Sequence, residues 1–226
     1  VSIAARVLIG LGLVCAVPVS SRAQAPDPPL HRLELAGGIG LVGSMTLGAS
    51  DGDLRSSTSG PYRLFRSSTR QAGATVLDLH AGFDLTRRWG LQAHMLFGRP
   101  EVQTSLSDDA EAAPAITAVE QLDHYLIDGG VVFRMHELTV AGIEPFVTGG
   151  GGYLRQLHEG RTLIEEGRVY YVGAGARYWF SMRDRGVFRG TGLRGDVRLN
   201  FLTGGIALDE GTRRQPSLSG SFFVMF

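Results

Sequence analysis

Polar and apolar residues alternate with a period of two in eight runs of about a dozen residues between Arg32 and Phe226. The runs are Arg32–Met45, Gly73–Leu85, Arg88–Gly98, Leu122–Met135, Ile143–Arg155, Val169–Phe180, Thr191–Leu202 and Ser217–Phe226. A period of two sends successive side chains to opposite sides of a strand, so each run reads as a strand with two chemically different faces. Helical periodicity is hard to find, and after Val19 no stretch approaches the ~20 apolar residues that a membrane helix needs.

The connections alternate as regularly as the residues. The first, third, fifth and seventh are long and polar: "TLGASDGDLRSSTSGPYRLFRSSTRQA", "RPEVQTSLSDDAEAAPAITAVEQ", "QLHEGRTLIEEGR" and "TGGIALDEGTRRQP". The second, fourth and sixth are "TR", "HELTVAG" and "SMRDRGVFRG". Long loops at one end and short turns at the other are what a barrel inserted into a membrane from one side shows. The expected fold is all-β: an eight-stranded antiparallel up-and-down transmembrane β-barrel over residues 32–226.

One face of each strand is nearly free of charge, as in Trp89, Leu91, Ala93, Met95 and Phe97. The opposite face carries Glu34, Asp78, His80, Asp84, Arg88, Gln92, His94, Asp128, Arg134, Glu144, Arg177, Arg194, Asp196, Arg198 and Asn200. Alternation alone does not say which face is inside, since a soluble barrel would turn its apolar face inward. The aromatic residues decide it. Phe83, Trp89, Phe133, Tyr178 and Phe226 fall at the short-turn end of the apolar face, and Phe97, Tyr125, Tyr153, Tyr170 and Phe201 at the long-loop end. Eight residues separate Trp89 from Phe97, Tyr125 from Phe133 and Tyr170 from Tyr178, about 20 Å of height for strands tilted ~40°. Two belts on one surface match the two headgroup levels of a bilayer, whereas a soluble core has no reason to sort its rings this way.

The first residues read as an export signal. Arg6 precedes the apolar "VLIGLGLVCAVPV", and "SSRAQA" offers small residues for cleavage, giving an expected signal peptide over 1–23 and a Pro-rich leader over 24–31. The one cysteine, Cys15, lies inside that signal, so the expected mature chain has no disulfide or thiolate chemistry. The 22 basic residues, all arginine, balance 22 acidic ones, which argues against a nucleic-acid partner.

The stretches "LELAGGIGLVGS", "GFDLTRRWGLQAHMLFG", "PFVTGGGGY", "GAGARYWF" and "SFFVMF" make the chain resemble the small eight-stranded outer-membrane barrels of the OmpA-like and OmpX-like superfamily of Gram-negative bacteria. The resemblance implies signal-dependent export, an outer-membrane location and periplasmic termini. It also implies that Phe222, Val224 and Phe226 form the signal read by the barrel assembly machinery. A peptidoglycan-binding domain is not expected.

Pairing the runs by their belt residues places Asp78, His94 and Asp128 side by side on the second, third and fourth strands, and Arg134 opposite Glu144. Arg177, Arg194, Asp196 and Arg198 face them from the sixth and seventh strands, with Glu34 on the first. An eight-stranded interior is only wide enough for side chains to fill it, and each charge removed from water needs a partner. An ion-pair plug is therefore expected. The expected role is structural or surface interaction through the outer loops, by a monomer in contact with outer-membrane lipid and lipopolysaccharide, with an extracellular ligand unspecified. The first loop offers Asp51, Asp53, Arg55, Arg63 and Arg66 with Tyr62 and Phe65 as such a surface. A small pore of the OmpW type is the alternative. A lipid A-modifying enzyme is disfavoured, because no serine joins His94 and the Asp78–His94–Asp128 group faces the lumen. No cofactor is expected. No metal is expected either: the six histidines are scattered, and His80 and His94 face the interior without a third close ligand.

Overall fold

The computed structural model describes residues 33–55, 61–107, 114–158, 163–182, 187–206 and 211–226. The expected signal peptide and leader lie outside the described residues. Among the described residues twelve strands form: β1 (Leu33–Val42), β2 (Met45–Arg55), β3 (Pro61–Gln71), β4 (Ala74–Asp84), β5 (Trp89–Gly98), β6 (Glu101–Ser107), β7 (Ile116–Gln121), β8 (Asp123–Arg134), β9 (Ile143–Leu157), β10 (Ile164–Met182), β11 (Gly190–Gly204) and β12 (Arg213–Met225). Eight of them close an antiparallel barrel in the order β1–β12–β11–β10–β9–β8–β5–β4. At the seam, Phe222 pairs with Gly37 and Val224 with Leu35, and the Phe226 N–H donates to the Leu33 carbonyl at 2.8 Å. Closure leaves no unpaired barrel edge.

The register fixes the barrel's shape. A path across the wall runs from Leu33 through Phe83, Leu91, Val131, Gly149, Val172, Leu199 and Pro216, and returns to β1 at Gly43 rather than at Leu33. This ten-residue stagger over eight strands implies a tilt of about 40° and a radius of about 8 Å. So narrow a tube is filled by its own side chains. Gly150 and Gly152 face inward where the wall coils tightly. A Cβ at either would lie 2.1 Å from a backbone oxygen of β8, which accounts for these two glycines of "TGGGG".

The first and third connections differ from expectation. They form hairpins, β2–β3 and β6–β7, that pair into a four-stranded sheet in the order β2–β3–β6–β7. Each of these strands prolongs its barrel neighbour across a short break, at Gly43–Ser44, Ala72–Gly73, Arg99–Pro100 or Leu122. The half of the wall made by β1, β4, β5 and β8 thus continues beyond the outer aromatic belt. The alternation is weaker here because both faces of β7 are largely exposed, as its burial pattern records. Leu47, an extra residue at a bulge between Thr46 and Gly48, is fully buried.

Outward-facing side chains are apolar and exposed, among them Leu77, Leu91, Ile127, Val172, Val197 and Leu218. The belt residues pack along it: Trp89 meets Phe133 and Phe97 meets Tyr125, both at 4.8 Å between centroids. At the short-turn end Phe180 meets Tyr178 at 5.5 Å.

Candidate functional site: the barrel interior

Inward positions on the eight barrel strands are layered along the axis. At the short-turn end, Arg177 donates to Glu34 at 2.8 Å and to Glu144 at 2.6 Å, while Arg134 pairs with Asp84. Next, Arg194 donates to Glu34 at 3.0 Å, to Asp196 at 2.7 Å and to the Gln92 carbonyl oxygen at 2.9 Å. Gln92 in turn donates to Thr148 and Tyr171, both at 2.8 Å. Arg198 lies 3.6 Å from both Asp128 and Asp196 and packs over the Tyr171 ring. All of these charged groups are buried. Each is therefore held by hydrogen bonds and opposite charge in place of bulk water.

Above Arg198 comes an aliphatic layer that periodicity did not reveal as a unit. Val42, Val76, Leu96, Leu126, Leu154, Val169 and Leu202 project inward, and Met45, Leu47, Val102 and Leu122 close over them from the outer sheet and its junctions. Beyond it Gln156 donates to Gln71 at 3.3 Å, and its carbonyl oxygen accepts from the Ile206 N–H at 2.9 Å. The interior thus combines a charged section with an apolar one.

No family model matches the chain, and no curated protein matches it in sequence. Its backbone, however, matches solved structures. The crystal structure of the outer membrane protein OprG from Pseudomonas aeruginosa superposes with a TM-score of 0.51 at 12% identity, covering 88% of this chain and 98% of that one. The chain has the fold of a small outer-membrane barrel. Neisserial surface protein A is also similar, with a TM-score of 0.48, 13% identity and coverage of 86% and 97%.

Within that barrel the register differs from the one expected. His94 does oppose Asp128, with His94 Nδ1 2.6 Å from Asp128 Oδ2, but the residue opposite His94 on β4 is His80, and Asp78 sits opposite Leu96. Arg134 lies opposite Phe146, not Glu144, and reaches across Gly90 to Asp84. Glu144 is opposite Arg177. Each neighbouring strand climbs the axis by more than one residue because of the stagger, which belt matching does not capture. The other expected lumen residues, Glu34, Arg177, Arg194, Asp196 and Arg198, lie in the charged section. Sequence reasoning left out Asp84, Tyr171 and Thr148 as partners, although all occupy inward positions of the alternation. It also missed a third group near the histidines, since Asp78 Oδ1 stands 2.6 Å from His80 Nε2 and 3.5 Å from His94 Nε2.

At the mouth of the short-turn end, a 3₁₀ turn (His136–Leu138) brings His136 Nδ1 to 2.5 Å from Glu144 and Nε2 to 2.5 Å from the Arg87 carbonyl. Both ring nitrogens face acceptors. The bond to the Glu144 carboxylate is the main cause that raises the His136 pKa above its ordinary value.

Proposed function

We propose that the chain is an integral outer-membrane barrel with a closed lumen, acting as a structural and surface-interaction protein and not as an enzyme. The interior carries this reading: between the paired charges and the aliphatic layer, inward side chains meet across the tube. A barrel of ~8 Å radius leaves no room for a continuous water path once these positions are filled. The apolar exterior with its two aromatic belts supports placement in lipid.

The outer end supplies the surface for contact. Exposed Arg155, Arg168 and Arg214 lie opposite the belt residues Tyr125, Tyr153 and Phe201, and exposed Arg99 follows Phe97 by two residues. Guanidinium groups at that level suit phosphorylated lipopolysaccharide. Beyond them the β2–β3 hairpin presents Asp51 between Arg63 at 2.7 Å and Arg66 at 3.3 Å, with Tyr62 and Phe65 exposed.

Planar-bilayer recording tests the closed lumen. The barrel should insert without discrete unitary currents. Stable currents whose amplitude changes in Arg198→Ala would overturn the reading and favour the small pore. A detergent-independent soluble monomer without heat-modifiable gel migration would overturn the membrane placement itself.

A further inference from the structure

Three buried ligand atoms converge inside the barrel: Asp78 Oδ1 lies 2.6 Å from His80 Nε2 and 3.5 Å from His94 Nε2. They lie within 4.8 Å of one another, on residues no more than 4% exposed. One carboxylate oxygen and two imidazole nitrogens gathered this closely, away from bulk water, are the donor set of a metal position.

The surroundings sharpen what that position holds. His94 Nδ1 is 2.6 Å from the Asp128 carboxylate, a contact that requires a proton on Nδ1. That contact fixes the ring with Nε2 turned toward the Asp78 carboxylate at 3.5 Å. Charge leads to the same place. Six buried carboxylates (Glu34, Asp78, Asp84, Asp128, Glu144, Asp196) share the charged section with four guanidinium groups (Arg134, Arg177, Arg194, Arg198). Among the described residues, Asp78 is the one of the six with no arginine in salt-bridge contact.

We propose that Asp78, His80 and His94 bind one divalent transition-metal ion of the zinc type inside the barrel. Two imidazole nitrogens and one carboxylate oxygen suit zinc in both type and number, with a water as fourth ligand. A cavity of about 10 Å³ beside Asp78 and His94, lined also by Ser217 and Ser219, has room for roughly that one water. The 3.5 Å separation of Asp78 from His94 is close to the ligand–ligand spacing of a tetrahedral site. The 2.6 Å approach of Asp78 to His80 must open by several tenths of an ångström as the ion enters. Asp128 would act as the carboxylate that orients His94. Arg198, 3.4 Å from His80 Nδ1, would shift toward Asp128 and Asp196 when that nitrogen carries the proton. The ion would staple β4 to β5 and, through Asp128, to β8.

The test uses the full chain refolded in detergent micelles with zinc, then freed of loose metal by gel filtration. One zinc per chain is expected, with a raised melting midpoint, and cobalt substitution should give visible d–d bands of a four-coordinate site. His80→Gln and His94→Gln should each lower the metal content at least tenfold, while Asp84→Asn, elsewhere in the lumen, should keep it. Folded wild-type protein that retains less than a tenth of an equivalent from excess zinc would overturn the proposal, as would equal retention by the histidine variants. If those variants do not fold, X-ray absorption of the wild-type zinc form decides: two imidazoles support the site and none overturns it. Displacement of the zinc by equimolar magnesium or calcium would overturn the zinc-type assignment.

Discussion

Arg177→Met isolates the energetics of the charged interior. The guanidinium bridges Glu34 and Glu144 at 2.8 and 2.6 Å, and the three residues are 3%, 1% and 4% exposed. Methionine keeps much of the aliphatic stem but removes the charge, which also lies over the Trp179 and Phe223 rings at 5.3 and 6.0 Å. Breaking a buried pair from one side typically costs about 3–5 kcal/mol. Glu34 retains Arg194 at 3.0 Å and Glu144 retains His136 at 2.5 Å, so the lower figure applies, about 3 kcal/mol or roughly 150-fold in the folding equilibrium. Equilibrium urea unfolding in phospholipid vesicles, followed by tryptophan fluorescence, measures it, with Trp179 reporting from beside the site. Adding Glu144→Gln should recover about 1 kcal/mol, because it removes a buried charge that has lost Arg177 while giving up only the pair with the partly exposed His136. A loss below 1 kcal/mol for the single variant, or a double variant no more stable than the single, would refute the claim that Arg177 compensates both carboxylates.

Two further expectations concern the wall and the mouth. Val197, 58% exposed and midway between the belts, should tolerate arginine poorly in lipid, with a loss of about 2–4 kcal/mol, whereas Thr117→Arg on the outer sheet should be close to neutral; equal effects would contradict the lipid-facing wall. His136 has a raised pKa when folded, so its contribution is full below its unfolded value of ~6.5 and is lost as pH rises through the folded value. Unfolding midpoints should therefore fall with rising pH across that window in wild type and less steeply in His136→Gln, and parallel profiles would rule the coupling out.

The barrel was legible because strand chemistry is local. Trp89 to Phe97 and Tyr170 to Tyr178 alternate without interruption, and each belt residue marks the height of its strand. The partners of Asp78 and Arg134 were not legible, since they depend on a stagger that only closure of all eight strands determines. Side-chain reach adds to this, as Arg134 crosses the space left by Gly90 to meet Asp84. The aliphatic layer escaped notice for another reason. Val76, Leu96 and Leu126 occupy the same face as the charges, and an apolar residue on a polar face carries no signal until its neighbours around the tube are known. The outer hairpins were hidden by composition, because serine- and glycine-rich strands such as Met45–Arg55 borrow their order from the wall they extend.

The prolongation of four wall strands into β2, β3, β6 and β7 also limits how this outer region can change in length. Insertion of two residues at a hairpin tip would raise the sheet while keeping every side chain on its face. A single added residue would invert the faces beyond it or force a bulge, as at Leu47 and again between Gly52 and Asp53. Length variation in this region should therefore come in even steps, and odd steps should be found together with a bulge.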